Sequence, residues 1–128
     1  MAGATLPAMS LQDRAGVGTT GEDHALAEYH KRGYELLARN WRCSLGEIDL
    51  VLVRGHLIVF CEVKTRRGSS FGGPYEAVTW KKQRKLRQLA EAFLAATRLD
   101  PSAVRFDVAS VTATDDGTRT VHLFESAF

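Results

Sequence analysis

Asp49, Glu62 and Lys64, with Glu47 beside them, are the residues of this chain whose types and spacing can do chemistry. Glu47 and Asp49 interrupt the otherwise apolar run G-E-I-D-L-V-L-V, and Glu62 and Lys64 follow directly on the run L-I-V-F-C. Ionised groups facing a covered sheet carry a desolvation cost of several kcal/mol per ion, and opposed carboxylates repel. A divalent cation offsets both. Carboxylate oxygens without thiolate or clustered imidazole favour Mg²⁺ or Mn²⁺ over zinc, and Mg²⁺ usually takes one or two protein carboxylates while leaving its other positions to water and phosphate. The set therefore suits phosphodiester hydrolysis. Asp49 and Glu62 would hold the metal, Glu22 would add a ligand from the preceding helix, and Lys64 would orient the attacking water or stabilise developing charge. A solvated sheet face on which Lys64 neutralises Glu47 and Glu62 in a cross-strand ion-pair network uses the same residues. Spacing alone leaves both readings open.

The charge distribution bears on that choice. The net charge is only +2, but residues 64–87 hold eight cations against Glu76 alone, a net +7, while the rest of the chain carries −5. A basic segment beside carboxylates is what phosphate attraction next to a metal requires, although basic clusters also occur on plain solvated helix faces. Arg66, Arg67, Lys81, Lys82, Arg84 and Lys85 are the expected nucleic-acid contacts.

Periodicity supplies the elements that must position these groups. At 128 residues, 45% hydrophobic and 25% charged, the chain is the size of one domain with an ordinary globular composition. Residues 1–19, rich in Gly, Ala, Thr and Ser, read as a flexible tail, and residues 20–128 as the folded unit. Thr20 can cap a first helix ending at Gly33, with Glu22 and Asp23 in its first turn. A strand follows over 34–41. Two β-branched-rich runs, 47–54 and 57–65, flank Gly55-His56 and predict a hairpin with a two-residue type II′ turn. Pairing Arg54 with Leu57 then puts Asp49 opposite Glu62 and Glu47 opposite Lys64, all on one face by the period of two.

A Gly/Ser stretch containing Phe71 reads as a loop, and Pro74 permits a helix start. From Trp80 the residues Leu86, Leu89, Ala90, Phe93 and Leu94 form the apolar stripe of an amphipathic helix. On that wheel Lys81, Arg84 and Gln88 face solvent while Lys82 points toward the sheet. Strands over 104–112 and 118–124 form a second hairpin. The expected fold is α/β, in the order α-β-β-β-α-β-β, with a mixed central sheet flanked by helices and the fourth strand brought parallel to the third by the helical crossover.

Several classes are excluded. No apolar stretch approaches the roughly 18 residues of a membrane span, and the first residues lack the basic and apolar regions of a secretory signal. A cytoplasmic protein is expected. Cys43 and Cys61 have no C-x-x-C partner and read as reduced thiols, and the four scattered histidines have no zinc spacing.

Asp49 followed on the next strand by Glu62-Val63-Lys64 resembles the active-site pattern of the PD-(D/E)XK nucleases, the restriction-endonuclease-like superfamily. Ile48 stands where the motif's name has Pro, a departure common in that superfamily. More specific is the wider set: G-E at 21–22, G-Y at 33–34, R-N-W-R at 39–42, G-E-I-D-L-V at 46–51, V-F-C-E-V-K-T-R at 59–66, F-G at 71–72, K-Q at 82–83 and R-F-D-V at 105–108. Over about residues 20–128 these resemble the YraN family of small bacterial proteins. That family is similar to archaeal Holliday-junction resolvases, which carry a Glu on the first helix, then an Asp and a Glu-x-Lys on consecutive strands, and act as homodimers. By position the catalytic roles fall on Glu22, Asp49, Glu62 and Lys64. The resemblance implies a restriction-endonuclease-like core and a Mg²⁺-dependent nuclease acting on structured or branched DNA, with a homodimer expected. Glu47, as a support that orients Lys64, Lys82 on phosphate, and Gln83 beside it complete the set. The alternative is a nucleic-acid-binding module on the same fold that works without hydrolysis within a DNA-processing complex; a protein-interaction scaffold with structural carboxylates stands third.

Overall fold

The computed structural model describes residues 20–67 and 79–128. The expected tail over 1–19, the loop around Phe71 and the helix start at Pro74 lie outside them. The first helix, α1 (Gly21–Lys31), begins with a reciprocal capping box: the Thr20 hydroxyl accepts from the Asp23 amide, and the Asp23 carboxylate accepts from the Thr20 amide. Glu22 and Asp23 lie in its first turn, and Gly33, at a φ of 90°, follows its end. Three strands come next: β1 (Glu35–Cys43), β2 (Gly46–Arg54) and β3 (Leu57–Arg67). The second helix, α2 (Trp80–Thr97), then leads to β4 (Ala103–Ala113) and β5 (Arg119–Phe124).

The order is the expected α-β-β-β-α-β-β, and the strands lie in sequence order in one five-stranded sheet. β3 and β4 are parallel, and all other neighbours are antiparallel. The β2–β3 hairpin keeps the expected register from Arg54↔Leu57 to Leu50↔Cys61, and Gly55, at a φ of 62°, supplies the positive dihedral that a type II′ turn needs at its first central position. Each face of the sheet is covered by one helix. Ala25, Leu26 and Tyr29 of α1 pack with Leu50, Leu52, Val59 and Cys61, while Leu86, Leu89, Ala90 and Phe93 of α2 pack with Ile48, Val51, Ile58 and Phe60.

Those two clusters expose an irregularity. Ile48 and Leu50 lie two apart yet belong to opposite faces, so the alternation slips at Asp49. Across from Asp49, between the pairs Arg39↔Leu50 and Trp41↔Ile48, stands Asn40 with a φ of 53°, and β1 carries a further register shift between Leu36 and Ala38. Asn is among the few non-glycine residues that tolerate the left-handed region. The kink therefore falls where Asp49 must leave the plain alternation of the strand.

Candidate active site

The site is built where β2 and β3 part. Their paired residues end at Leu50↔Cys61, beyond which β2 pairs only with β1, and β3 with β4. In a continued ladder the next partner of Val63 would be Ile48; instead the Val63 amide donates to Asp49 Oδ2 at 2.8 Å. The aspartate thus closes the fork with its side chain and satisfies an amide that the parting strands would strand. The expected pairing of Asp49 with Glu62 is not formed, because the ladder stops one pair short of it; Glu62 still lies near enough to act on the Asp49 carboxyl.

The start of α1 supplies Glu22. Gly21 lies so close to β3 that a Cβ would collide with the Thr65 hydroxyl, which explains glycine at this position and sets the next residue beside the strand. Glu22 Oε1 accepts from Arg39 Nε and from Asn40 Nδ2, each at 3.1 Å. Arg39, whose side chain is 8% exposed, also donates to Asp23 at 2.6 Å and to the Thr20 hydroxyl at 3.0 Å. One arginine of β1 therefore fixes the capped end of α1 and the orientation of Glu22.

The α2 side supplies a second ammonium. Lys82 Nζ lies 2.8 Å from Glu62 Oε2, and Lys64 Nζ lies 3.5 Å from the same oxygen. Lys82 points inward, as the helical wheel requires. Contact with Lys82, then burial, pushes the Lys64 ammonium below its usual range against the pull of Glu62. For Lys82, burial is the largest single influence and works against the charge, but the contacts with Glu62 and Lys64 and the charge of Asp49 together outweigh it and hold the ammonium above its usual range. Glu47 behaves differently from the expectation. Opposite Lys64 in the extrapolated register, it pairs with Arg42 of β1 at 3.5 Å instead, because the N-terminal half of β2 follows β1 and not β3.

Burial pushes the Asp49 carboxyl up to about 6, helped by Glu62, Glu22 and Glu47 and opposed by the Val63 amide. The consequence for stability has a definite sign. A proton held more tightly in the folded state stabilises fully at low pH, and this contribution is lost as pH rises from the ordinary value of 3.8 through about 6. Without metal, the melting temperature of the wild type is expected to fall over that interval relative to Asp49→Asn. Parallel melting curves for the two proteins between pH 4 and pH 7.5 would contradict this source of strain.

The oxygens that remain suit a hard cation. Among the described residues Asp49 accepts through Oδ2, the lysines approach Glu62 at Oε2, and Arg39 and Asn40 reach Glu22 at Oε1. An all-oxygen pair from Asp49 and Glu62 matches the one or two carboxylates that Mg²⁺ or Mn²⁺ usually takes. No three His, Cys, Asp or Glu side chains among the described residues stand close enough to hold an ion together. Glu22 lies near enough to raise Asp49 but is turned toward Arg39 and Asn40.

The basic residues divide by position. Lys81, Arg84 and Lys85 are exposed on α2, and Lys85 also donates to the Leu45 carbonyl at 3.2 Å, tying the helix to the β1–β2 turn. Arg66 and Arg67 end β3, half-buried and exposed respectively, and Gln83 is half-buried in the first turn of α2.

A second polar cluster escapes a reading by local pattern. Asp107 of β4 is fully buried and accepts from Tyr29 Oη at 2.7 Å, from Arg105 Nε and Nη2 at 2.8 Å each, and from the Ser126 amide at 3.1 Å. It is paired in register with Cys61, the residue before Glu62. Its signal in the sequence is an aspartate inside the apolar run V-R-F-D-V, together with the R-F-D-V match, to which no role attached. Both cysteines are free, and no described helix is long and apolar enough to cross a membrane.

Comparison with known proteins places this geometry in a family. The chain is 44% identical over 125 residues to a UPF0102 protein of Acidothermus cellulolyticus, covering 90% of this chain and 95% of that one. It is 47% identical over 95 residues to one of Caldicellulosiruptor saccharolyticus, covering 74% and 80%. A third, from Symbiobacterium thermophilum, is 46% identical over 112 residues, covering 88% and 95%. The family model described as "Uncharacterised protein family UPF0102" matches residues 21–111, a span that holds Glu22, the β2–β3 fork and all of α2, and the chain belongs to that family.

Proposed function

We propose that this chain is a metal-dependent nuclease that hydrolyses phosphodiester bonds of nucleic acid, with structured or branched DNA as its substrate. The observation that carries the reading is the fork itself: two adjacent carboxylates, one of them pushed up to about 6 by burial and its acidic neighbours, beside a pair of ammonium groups. Burial and like charges gathered at one point are the arrangement by which functional sites shift their titratable groups. Asp49 Oδ1 and Glu62 Oε1 would hold Mg²⁺ or Mn²⁺, with Glu22 behind them as a third negative charge. When bound, the cation supplies Lewis-acid stabilisation of phosphoryl charge and lowers the pKa of water. Lys64 orients the nucleophile and offsets charge as it develops; Lys82 holds Glu62 and draws phosphate toward it. Arg66, Arg67, Arg84 and Lys85 guide the backbone in.

Cleavage of labelled junction, flap, single-stranded and linear duplex DNA in Mg²⁺ is expected to disappear in Asp49→Ala, and equally in Asp49→Asn, which keeps an oxygen for the Val63 amide. Undiminished cutting by either variant would refute the assignment. One observation favours a second reading, a nucleic-acid-binding module without hydrolysis: Glu62 is already neutralised by two lysines. That reading expects salt-sensitive binding through Lys81, Lys82, Arg84 and Lys85, unaffected by Asp49→Ala.

A further inference from the structure

The outward face of α2 carries a feature the hydrolytic site does not use. Trp80 is 72% exposed, the most exposed of the large apolar residues described, whereas the other tryptophan, Trp41, packs edge-on against Phe93. Trp80, Lys81, Arg84, Lys85 and Gln88 line one open groove of about 360 Å³. At 100° per residue these positions form a single stripe, opposite the stripe of Leu86, Leu89, Ala90 and Phe93 that packs on the sheet. An exposed indole rimmed by cations is therefore presented to solvent by a helix anchored from behind.

The charges around it run against what stabilises a helix. The first turn of α2 holds no acidic residue; its Lys82 is paired with Glu62, but Lys81 faces outward there although the dipole favours anions and disfavours cations. Cations kept at a helix N-terminus make sense beside an anionic ligand. They also argue against a second copy of this chain as the occupant, since a symmetric α2–α2 contact would oppose Lys81, Arg84 and Lys85 with the same three cations. A flat aromatic face among backbone-directed cations is the combination that receives unpaired bases, because every base has a π-face and every nucleotide brings a phosphate.

We propose that Trp80 is a stacking platform for an unpaired nucleobase, with Lys81, Arg84 and Lys85 holding the phosphates on either side. The surface would then select nucleic acid with a single-stranded stretch next to the scissile site, since Lys82, on the inward side of the same turn, reaches Glu62. This rests on the nucleic-acid reading above and adds the part of the substrate that is recognised.

The test uses the full chain and four probes of equal length at fixed salt: oligo(dT), oligo(U), an abasic strand of the same charge, and linear duplex. Trp80→Ala is expected to weaken oligo(dT) or oligo(U) binding by about 5- to 150-fold, the equivalent of one stacked base. It should leave the abasic strand, the duplex and the slope of log K against log salt unchanged, and Trp80→Phe should retain most of the affinity. Equal loss on the abasic strand, or no loss on any probe, would overturn the platform while salt-sensitive wild-type binding kept the nucleic-acid reading intact. A wild type that binds none of the four probes would overturn the platform, and failure to bind a labelled four-way junction as well would overturn the nucleic-acid reading. A wild-type dimer that Trp80→Ala converts to monomer would assign the face to a second copy and overturn the proposal.

Discussion

Lys64→Ala is expected to slow metal-dependent cleavage by about 10²- to 10³-fold, the usual cost of removing one preorganised charge donor from a developing phosphoryl charge. The effect should fall on the chemical step. Lys64 is only about a quarter exposed and contacts Glu62 Oε2 at 3.5 Å, while Lys82 holds the same oxygen at 2.8 Å. Glu62 therefore keeps a counter-charge when Lys64 is lost, and the fold and the uncut complex should change little. Single-turnover rates with enzyme in excess separate this outcome from a binding defect. A loss confined to affinity, with the cleavage rate of the bound complex unchanged, would move Lys64 from catalysis to backbone attraction. Lys82→Ala supplies the contrast, since it strips the shorter of the two contacts and should both weaken binding and slow cleavage.

The second large effect is on stability. Asp107→Ala is expected to destabilise the fold by about 3 kcal/mol, the low end of the range found when one partner of a buried ion pair is removed, because Arg105 keeps a longer contact with Glu125 at 3.7 Å. Asp107 accepts from Tyr29 of α1, from Arg105 of its own strand and from the Ser126 amide of the C-terminal segment, all with no solvent exposure of its own. The carboxylate thus joins three parts of the chain on one face of the sheet. Asp107→Asn should cost less, because its amide oxygen still accepts part of the set, and removal of Arg105 in the Asp107→Ala background should recover part of the loss. Urea unfolding of the three variants measures this directly; a change within about 0.5 kcal/mol, as at an ordinary surface site, would contradict the structural role.

Elements set by local pattern were legible before the structure. The Thr20 cap, the α2 stripe and the inward turn of Lys82 follow from spacing of 3.6, and the β2–β3 register follows from a two-residue turn with glycine first. That register brings Asp49 and Glu62 to the same end of the hairpin, although the ladder itself stops at Leu50↔Cys61. What period two could not reveal is the slip at Asp49, because its cause lies on another strand, in the left-handed Asn40. Glu47 departs from the extrapolated register for the same reason: pairing with β1 places Arg42, and not Lys64, opposite it. Arg39 and Asp107 make contacts 16 to 78 residues away in sequence, and no window of local sequence contains both ends of such a bond.

The central claim is that the fork at Asp49 and Glu62 supports metal-assisted hydrolysis, and wild-type protein with labelled junction, flap, single-stranded and duplex DNA, in Mg²⁺ against EDTA, tests it most directly. Cutting in Mg²⁺ that ceases in EDTA and concentrates on the branched or single-stranded substrates is the result this account predicts. Substrates left intact in both conditions despite tight, salt-sensitive binding, or cut equally in EDTA, would contradict it.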